Sequence, residues 1–221
     1  MRNIRKFSAL ATAVVASAAL AVAVPGPALA ATNLTVKVTG AGTFNASAQT
    51  VTLEAGSVGF ICSPLSSLPG STAVISVSGH PAHGEAPLMI GTVTGLEFSN
   101  CTGPLGSVSI VAVGDAYDFN VNSVTNHAGK TDVTIGNVDL SVSMTGCTFT
   151  VTGNALAAYD NLTITADVGH KPPRPLTPAV LTISNVTGPD CTGVASNGER
   201  VKYEGLYMLL NSELGIHSTS S

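Results

Sequence analysis

Charged side chains are scarce in this sequence, and tryptophan is absent. Asp, Glu, Lys and Arg make up 10% of the 221 residues. Three of the nine basic residues lie within the first 30 positions, so the rest of the chain carries 9 − 3 = 6 basic and 13 acidic residues, a formal charge of 6 − 13 = −7. So sparse a set of basic residues cannot form the positive stripe that neutralises nucleic-acid phosphates. We therefore expect no nucleic-acid partner.

Motifs of catalysis and of structural zinc binding are also missing. The sequence has no Gly-x-Ser-x-Gly nucleophile elbow and no Cys-x-x-Cys pair, which are signatures of α/β-hydrolases and of zinc sites. Asp115 and Asp118 could be paired carboxylates of a glycosidase, but they flank a predicted strand start and are interpreted as turn residues. A Ser–His–Asp triad leaves no local signature, because its members meet only in the folded chain. A secreted hydrolase therefore stays open as an alternative.

The first 30 residues have the pattern of a secretory signal peptide. Three basic residues within the first six positions precede an uncharged Ala- and Val-rich run over residues 9–24. Residues 28–30, Ala-Leu-Ala, match the small-x-small motif that precedes cleavage. We expect removal of residues 1–30 and secretion of the remainder. No later apolar run approaches the ~18 residues that a membrane helix requires, so no membrane span is expected after signal removal.

A short sequence element occurs twice in the chain. Residues 74–103, aligned without a gap on residues 164–193, share six identities in thirty positions, where ordinary residue frequencies give roughly two. The sequence therefore predicts a duplication into two related halves, about 31–125 and 131–211, within one domain over 31–211. The shared residues are Gly79-His80 with Gly169-His170, Thr92 with Thr182, and Cys101-Thr102-Gly103 with Cys191-Thr192-Gly193.

Four cysteines, an even number in a chain predicted to be exported, indicate two disulfides. Three connectivities are possible. The duplication favours Cys62–Cys101 and Cys147–Cys191, one pair in each half, which close loops of 101 − 62 = 39 and 191 − 147 = 44 residues. In the chain-entropy model each such loop stabilises the folded state by roughly 4 kcal/mol.

From residue 31 onward, Val, Ile and Thr alternate with Ser, Thr, Asn and Gly. A period of two is typical of half-buried strands, and no window shows the spacing of an amphipathic helix. About a dozen strands separated by turns, without helical crossovers, predict an all-β fold in the form of an antiparallel β-sandwich with pseudo-symmetric halves. Residues 212–221 lack this alternation and are predicted to be a disordered tail.

His80, His83 and Glu85 are the only metal-ligand candidates that the sequence suggests. Two imidazoles and a carboxylate so close together can hold zinc or copper. However, only His80 has a counterpart in the second half, His170, and the prolines of this segment are typical of a turn. We therefore prefer to interpret these residues as turn residues at strand ends, and no metal or other cofactor is expected.

Six segments, spread over most of the chain after residue 30, form a characteristic series. They are Thr92–Gly95, Phe98–Gly106, Gly146-Cys147, Tyr159–Asn161, Cys191–Gly193 and Tyr203–Tyr207. This series resembles a group of small secreted actinobacterial proteins of uncharacterised function. The resemblance implies an actinobacterial origin and export. It implies no activity, because that group has no assigned catalytic residues.

Together these observations favour a secreted, non-enzymatic binding or structural module of the cell exterior, such as a subunit of an extracellular assembly. Exposed Thr, Ser and Asn side chains suit an extracellular protein or a cell-wall glycan as partner. The alternatives are a secreted hydrolase with a non-local catalytic site and an envelope β-barrel pore. The pore is disfavoured because such barrels carry girdles of aromatic residues, and only nine aromatic residues follow position 30.

Overall fold

The computed structural model describes residues 33–40, 42–65, 68–78, 82–169, 180–210 and 214–221. The predicted signal peptide, residues 1–30, lies outside these ranges. The described chain consists of β-strands joined by turns, with one short 3-10 helix at Pro189–Cys191, so the all-β prediction is confirmed. No helix in this part of the chain is long and apolar enough to cross a membrane.

The strands of the described chain range from three to 15 residues in length. In chain order they are β1 (Asn33–Thr39), β2 (Gly42–Ala55), β3 (Val58–Cys62), β4 (Ser71–Val77), β5 (Ala82–Glu85), β6 (Leu88–Phe98), β7 (Cys101–Gly103), β8 (Gly106–Ala112), β9 (Ala116–Val121), β10 (Lys130–Met144), β11 (Cys147–Asp160), β12 (Thr165–Val168), β13 (Leu181–Thr187), β14 (Arg200–Leu210) and β15 (Gly215–Ser220).

The main sheet is antiparallel throughout and closes on itself. β2 pairs with β3 and β4, these pair with β7 and β6, and β7 and β6 pair in turn with β8 and β9. β8 and β9 both pair with β10, β10 pairs with β11, and β11 pairs with β12 and β13. β14 then pairs with β12 and β13 on one side and with β2 on the other, which completes the circuit.

This closed sheet corrects the predicted sandwich of two facing sheets. β2, β10, β11 and β14 are 11 to 15 residues long, and each pairs with two successive strands along one edge. Long strands of a twisted sheet coil until the outer edges meet, and bulges at Ile135/Val138 and at Gly205/Tyr207 add local bend. The alternation in the sequence indicates one buried face, which a sandwich and a barrel have in common.

Inward side chains fill the closed sheet. Tyr117, Phe119 and Tyr159 are each at most 2% exposed, and aliphatic residues from the surrounding strands pack against them. Removing one large aliphatic or aromatic side chain of this kind from water stabilises a fold by about 1.5–3 kcal/mol. The interior is therefore the main source of stability of the described chain.

A second, three-stranded sheet has the order β15-β1-β5. It corrects the predicted disordered tail over residues 215–220, which form a strand, while residues 212 and 213 lie outside the described residues. β15 pairs with β1 from Leu34–Ser220 to Thr39–Gly215. Ile216 is fully buried, and the Tyr159 hydroxyl donates to the carbonyl of Leu214 at 2.5 Å. Two apolar residues are too few to produce a visible alternation in the sequence, and the partner strand lies at the other end of the domain.

Both disulfides have the predicted connectivity. Cys62 is joined to Cys101, which lies directly opposite it in the register of β3 with β7. Cys147, at the start of β11, is joined to Cys191, at the end of the 3-10 helix. All four cysteines are at most 5% exposed, so each bond ties two neighbouring segments within the core.

Candidate functional site

Strands β6 and β8 separate on the outer face of the closed sheet. They share a single residue pair, Glu97 with Val111. On one side of this pair β6 turns to β9, with which it pairs as far as Thr94 and Ala116, and on the other side β8 pairs with β7. The separation leaves an open groove of about 480 Å³, lined by residues 95–99, 110–112, 114 and 115. We call it the β6–β8 groove.

A second depression, of about 570 Å³, adjoins the first. It lies on β2 and β4, and it is also lined by Leu210 of β14 and by Pro69, which precedes β4. Gly95 and Glu97 line both depressions. The two therefore form one continuous surface across β14, β2, β4, β6 and β8, which we call the outer trough.

β6 bulges at Gly95, where the two depressions of the outer trough meet. The register of β6 with β4 shifts between Thr72 and Val74, and Gly95 adopts a φ of 55°, a left-handed conformation that glycine tolerates. A Cβ atom at this position would lie 3.4 Å from Cγ2 of Val74. A larger residue at position 95 would strain the backbone and fill the junction between the two depressions.

A chain of buried hydroxyl groups holds Glu97 from beneath. The Ser71 hydroxyl donates to the backbone carbonyl of Glu97 at 2.7 Å and accepts from the Tyr207 hydroxyl at 2.7 Å. The Tyr203 hydroxyl lies 2.5 Å from that of Tyr207, and Tyr203 is the donor because the Tyr207 proton is directed to Ser71. Burial raises the pKa of both tyrosines. Both hydroxyls therefore keep their protons, and with them these bonds, at neutral pH.

A third tyrosine holds the opposite wall of the β6–β8 groove. The Tyr117 hydroxyl donates to the carbonyl of Asp139 at 3.0 Å and accepts from the backbone N–H of Gly114 at 3.3 Å. Tyr117 is 1% exposed, and burial raises its pKa. The loop that carries Gly114 and Asp115 is therefore attached to the core, and both walls of the groove are held by buried hydroxyl groups.

Two carboxylates, those of Glu97 and Asp115, line the β6–β8 groove. Neither forms an ion pair with another described residue, since the described lysine–carboxylate pairs lie on β10 with β11 and on β14 with β2. No described lysine or arginine lines either depression. The electrostatic potential of the outer trough is therefore negative.

Uncharged hydrogen-bonding side chains cover much of the rest of the outer trough. Asn45, Ser47 and Gln49 of β2 and Thr72 of β4 line it. None of these side chains is hydrogen-bonded to another described residue. They are free to donate to or accept from a bound molecule.

The predicted metal candidates are only partly described. His80 lies outside the described residues. His83 and Glu85 lie two residues apart on β5, both exposed, and Nδ1 of His83 is 3.0 Å from the hydroxyl oxygen of Thr35. Across the described residues no three His, Cys, Asp or Glu side chains converge as metal ligands. The structure therefore brings His83 and Glu85 to one face of a strand without a described third ligand.

The two aspartates considered as a carboxylate pair have different surroundings. Asp115 lines the β6–β8 groove, whereas the Asp118 carboxylate accepts from the side-chain amide of Asn137 at 2.7 Å. The carboxylate that does join Asp115 in the groove is Glu97, which sequence reasoning missed. The alternation of β6 identifies Glu97 as an outward residue, but only the pairing of β6 with β8 brings it near Asp115.

Comparison with protein-family models, with curated proteins and with solved structures finds no match to this chain. The function must therefore be argued from the chemistry of the outer trough. The described lining contains carboxylates, hydroxyls and amides but no imidazole or thiol. Such a lining can bind through hydrogen bonds and charge, and its only acid–base groups are Glu97 and Asp115.

Proposed function

We propose that this protein is a secreted, non-enzymatic binding or structural module of the cell exterior that holds its partner in the outer trough. The observation that carries the proposal is the continuity of two open depressions through Gly95 and Glu97. The described lining has no histidine or cysteine to serve as general base or nucleophile, which favours binding over catalysis. The partner is an extracellular protein or a cell-wall glycan, and the module can be one subunit of a larger assembly.

The rigidity of the trough walls supports a binding role. Both walls are attached to buried tyrosine hydroxyls, and two disulfides tie neighbouring segments of the same domain. A surface that is already ordered loses little conformational entropy when a partner binds. Disulfides also persist in oxidising compartments, which agrees with export of residues 31–221 after cleavage of the signal peptide.

A secreted hydrolase is the second candidate, and one observation favours it. Glu97 and Asp115 are two carboxylates in one groove, and glycosidases use such a pair as acid and base or as acid and nucleophile. No comparable observation favours the envelope pore, because the described interior is filled by buried side chains.

We further propose that the two halves are related by duplication, as the repeated sequence element suggests. Gly95 and Asn185 are 90 residues apart, the offset of the sequence repeat, and their φ angles are 55° and 54°. Positive φ is uncommon for a residue other than glycine. The shared backbone feature supports a common origin of β6 and β13.

Two outer-face variants on the same strand test the proposed function. Ser47→Trp places an indole in the outer trough, whereas Thr52→Trp places one on the outer face of β2 outside the described lining. The secreted protein is incubated with isolated cell walls and with immobilised supernatant proteins, beside ester, peptide and glycoside substrates. We expect saturable binding that Ser47→Trp weakens and Thr52→Trp leaves unchanged, without turnover. Turnover that Glu97→Gln abolishes in a folded protein would refute the binding module and establish the hydrolase.

A further inference from the structure

We propose that the outer trough binds an extended polypeptide segment that carries both basic and aliphatic residues on the face toward the trough. This inference rests on the proposed function and specifies its partner. The occupant is a segment of another extracellular protein. A cell-wall glycan is the competing class and is treated as an outcome of the test.

The dimensions of the outer trough match a short extended segment. The trough crosses five strands, β14, β2, β4, β6 and β8, and therefore four interstrand intervals. At about 4.8 Å per interval the trough is about 19 Å long. An extended chain rises about 3.3 Å per residue, so about six residues span the trough from Leu210 to Val111.

The charge of the outer trough calls for a cationic partner. Glu97 and Asp115 line the β6–β8 groove without a described basic neighbour. The chain after residue 30 has a formal charge of −7, so the surrounding field has the same sign. Lysine or arginine side chains of a bound segment would neutralise both carboxylates, and the field would speed the encounter. An uncharged glycan would leave both carboxylates without a counter-charge.

Exposed aliphatic side chains lie at both ends of the outer trough. Leu210 is 49% exposed at one end, and Val111 is 55% exposed at the other. Covering apolar surface is favourable in proportion to its area. A segment with aliphatic residues would cover both side chains. The only aromatic ring in the described lining, that of Phe98, packs against Tyr203 with ring centroids 6.2 Å apart.

The middle of the outer trough can satisfy the peptide backbone. Asn45, Ser47 and Gln49 follow one another along the outer face of β2, with Thr72 beside them on β4. Their amide and hydroxyl groups have no described hydrogen-bond partner. These groups can donate to peptide carbonyls and accept from peptide N–H groups. An ionised carboxylate can only accept, and a lysine or arginine can only donate.

Fluorescence anisotropy with labelled octapeptides tests this inference on the mature protein. The probes are a peptide that repeats Val-Val-Lys-Lys, which presents both residue types on each face of an extended chain, one that repeats Val-Val-Glu-Glu, and one that repeats Ser-Ser-Lys-Lys. We expect the valine–lysine peptide to bind most tightly and the glutamate peptide not to bind. Unlabelled chitohexaose and a soluble cell-wall glycan fraction are tested as competitors and are expected not to displace it.

Matched variants locate the binding and separate it from bulk charge. Glu97→Gln and Asp115→Asn should each weaken binding of the valine–lysine peptide about two- to fivefold, which is the range of a partly exposed ion pair. Glu85→Gln and Asp132→Asn, made singly as controls, each remove one charge outside the described lining and should leave the affinity nearly unchanged. Val111→Ser should weaken binding, while Val124→Ser, which alters an exposed valine outside that lining, should not.

Three results would overturn the inference. If the trough variants and the Glu85 and Asp132 controls weaken peptide binding equally, the attraction comes only from the net charge of the protein. If no peptide binds, the proposed occupant of the trough is wrong. Retention of glycans at the trough without peptide binding would also refute it, while the proposed binding function would stand. Hydrolysis of a peptide or glycan that depends on Glu97 would instead refute the proposed function itself.

Discussion

Removing one hydroxyl from the buried chain beneath Glu97 should destabilise the protein by an amount that depends on the position of that hydroxyl. In Tyr207→Phe, the bonds from Tyr203 and to Ser71 are both lost. The Tyr203 hydroxyl is left without its acceptor in a side chain that is 4% exposed. A buried donor without a partner costs about 1–3 kcal/mol. We therefore expect the free energy of unfolding to fall by about 2–3 kcal/mol.

Tyr203→Phe is the matched control for this prediction. It removes the first donor of the chain, while Tyr207 continues to donate to Ser71 at 2.7 Å. Only one hydrogen bond is lost and no donor is stranded, so the expected decrease is about 1 kcal/mol. Both substitutions keep the aromatic ring and therefore its packing. The difference between the two decreases in unfolding free energy therefore reports which tyrosine hydroxyl donates to the other.

Urea unfolding followed by far-ultraviolet circular dichroism measures both decreases, and the chain has no tryptophan that could serve as a fluorescent probe. The m-value should be unchanged if both variants keep the native fold. A decrease for Tyr203→Phe equal to or larger than that for Tyr207→Phe would refute the donor order Tyr203 to Tyr207 to Ser71.

Three further predictions concern pH, the disulfides and export. Burial raises the pKa of all four tyrosines. Above pH ~10 the unfolded chain therefore binds fewer protons than the folded chain, so the free energy of unfolding falls as pH rises. Absorbance titration should show tyrosinate only as the protein unfolds. Replacing both cysteines of the Cys62–Cys101 bond by alanine should lower the free energy of unfolding by about 4 kcal/mol, because 39 residues separate them; a loss below about 1 kcal/mol would contradict the chain-entropy reasoning. The secreted protein should begin at Ala31 by intact mass, and retention of Met1 would contradict cleavage.

Local sequence patterns predict the strands and the cysteine pairs. Strands produce an alternation between neighbouring residues, and the cysteine pairs are indicated by a repeated sequence element. Alternation along residues 130–144 reports the buried face of β10, and the repeated Cys-Thr-Gly element indicates one bond in each half. Even here the two copies differ, since Cys101–Gly103 is a strand whereas Pro189–Cys191 is a 3-10 helix. Pro189 lies in the first turn of that helix, where its fixed φ and missing N–H favour a helical start over strand pairing.

Closure of the sheet and assembly of the outer trough depend on which strands pair with each other, and the alternation of residues along the sequence does not predict these pairings. β14 meets β2 across about 150 residues of chain, through pairs such as Val201 with Ala55. Glu97 and Asp115 share a groove only because β6 leaves β9 at Thr94. Each residue has the character of an ordinary exposed polar position in its own strand or turn. No periodicity distinguishes it from the other exposed polar residues.

Amide hydrogen exchange with and without the valine–lysine octapeptide tests most directly the claim that the outer trough is the binding surface. The account predicts slower exchange in peptic fragments covering residues 45–49, 72–74, 95–99 and 110–115. Fragments covering residues 147–153 and 215–220, whose described residues do not line the trough, should be unchanged. Protection confined to other parts of the surface, or no protection at saturating peptide, would contradict the account.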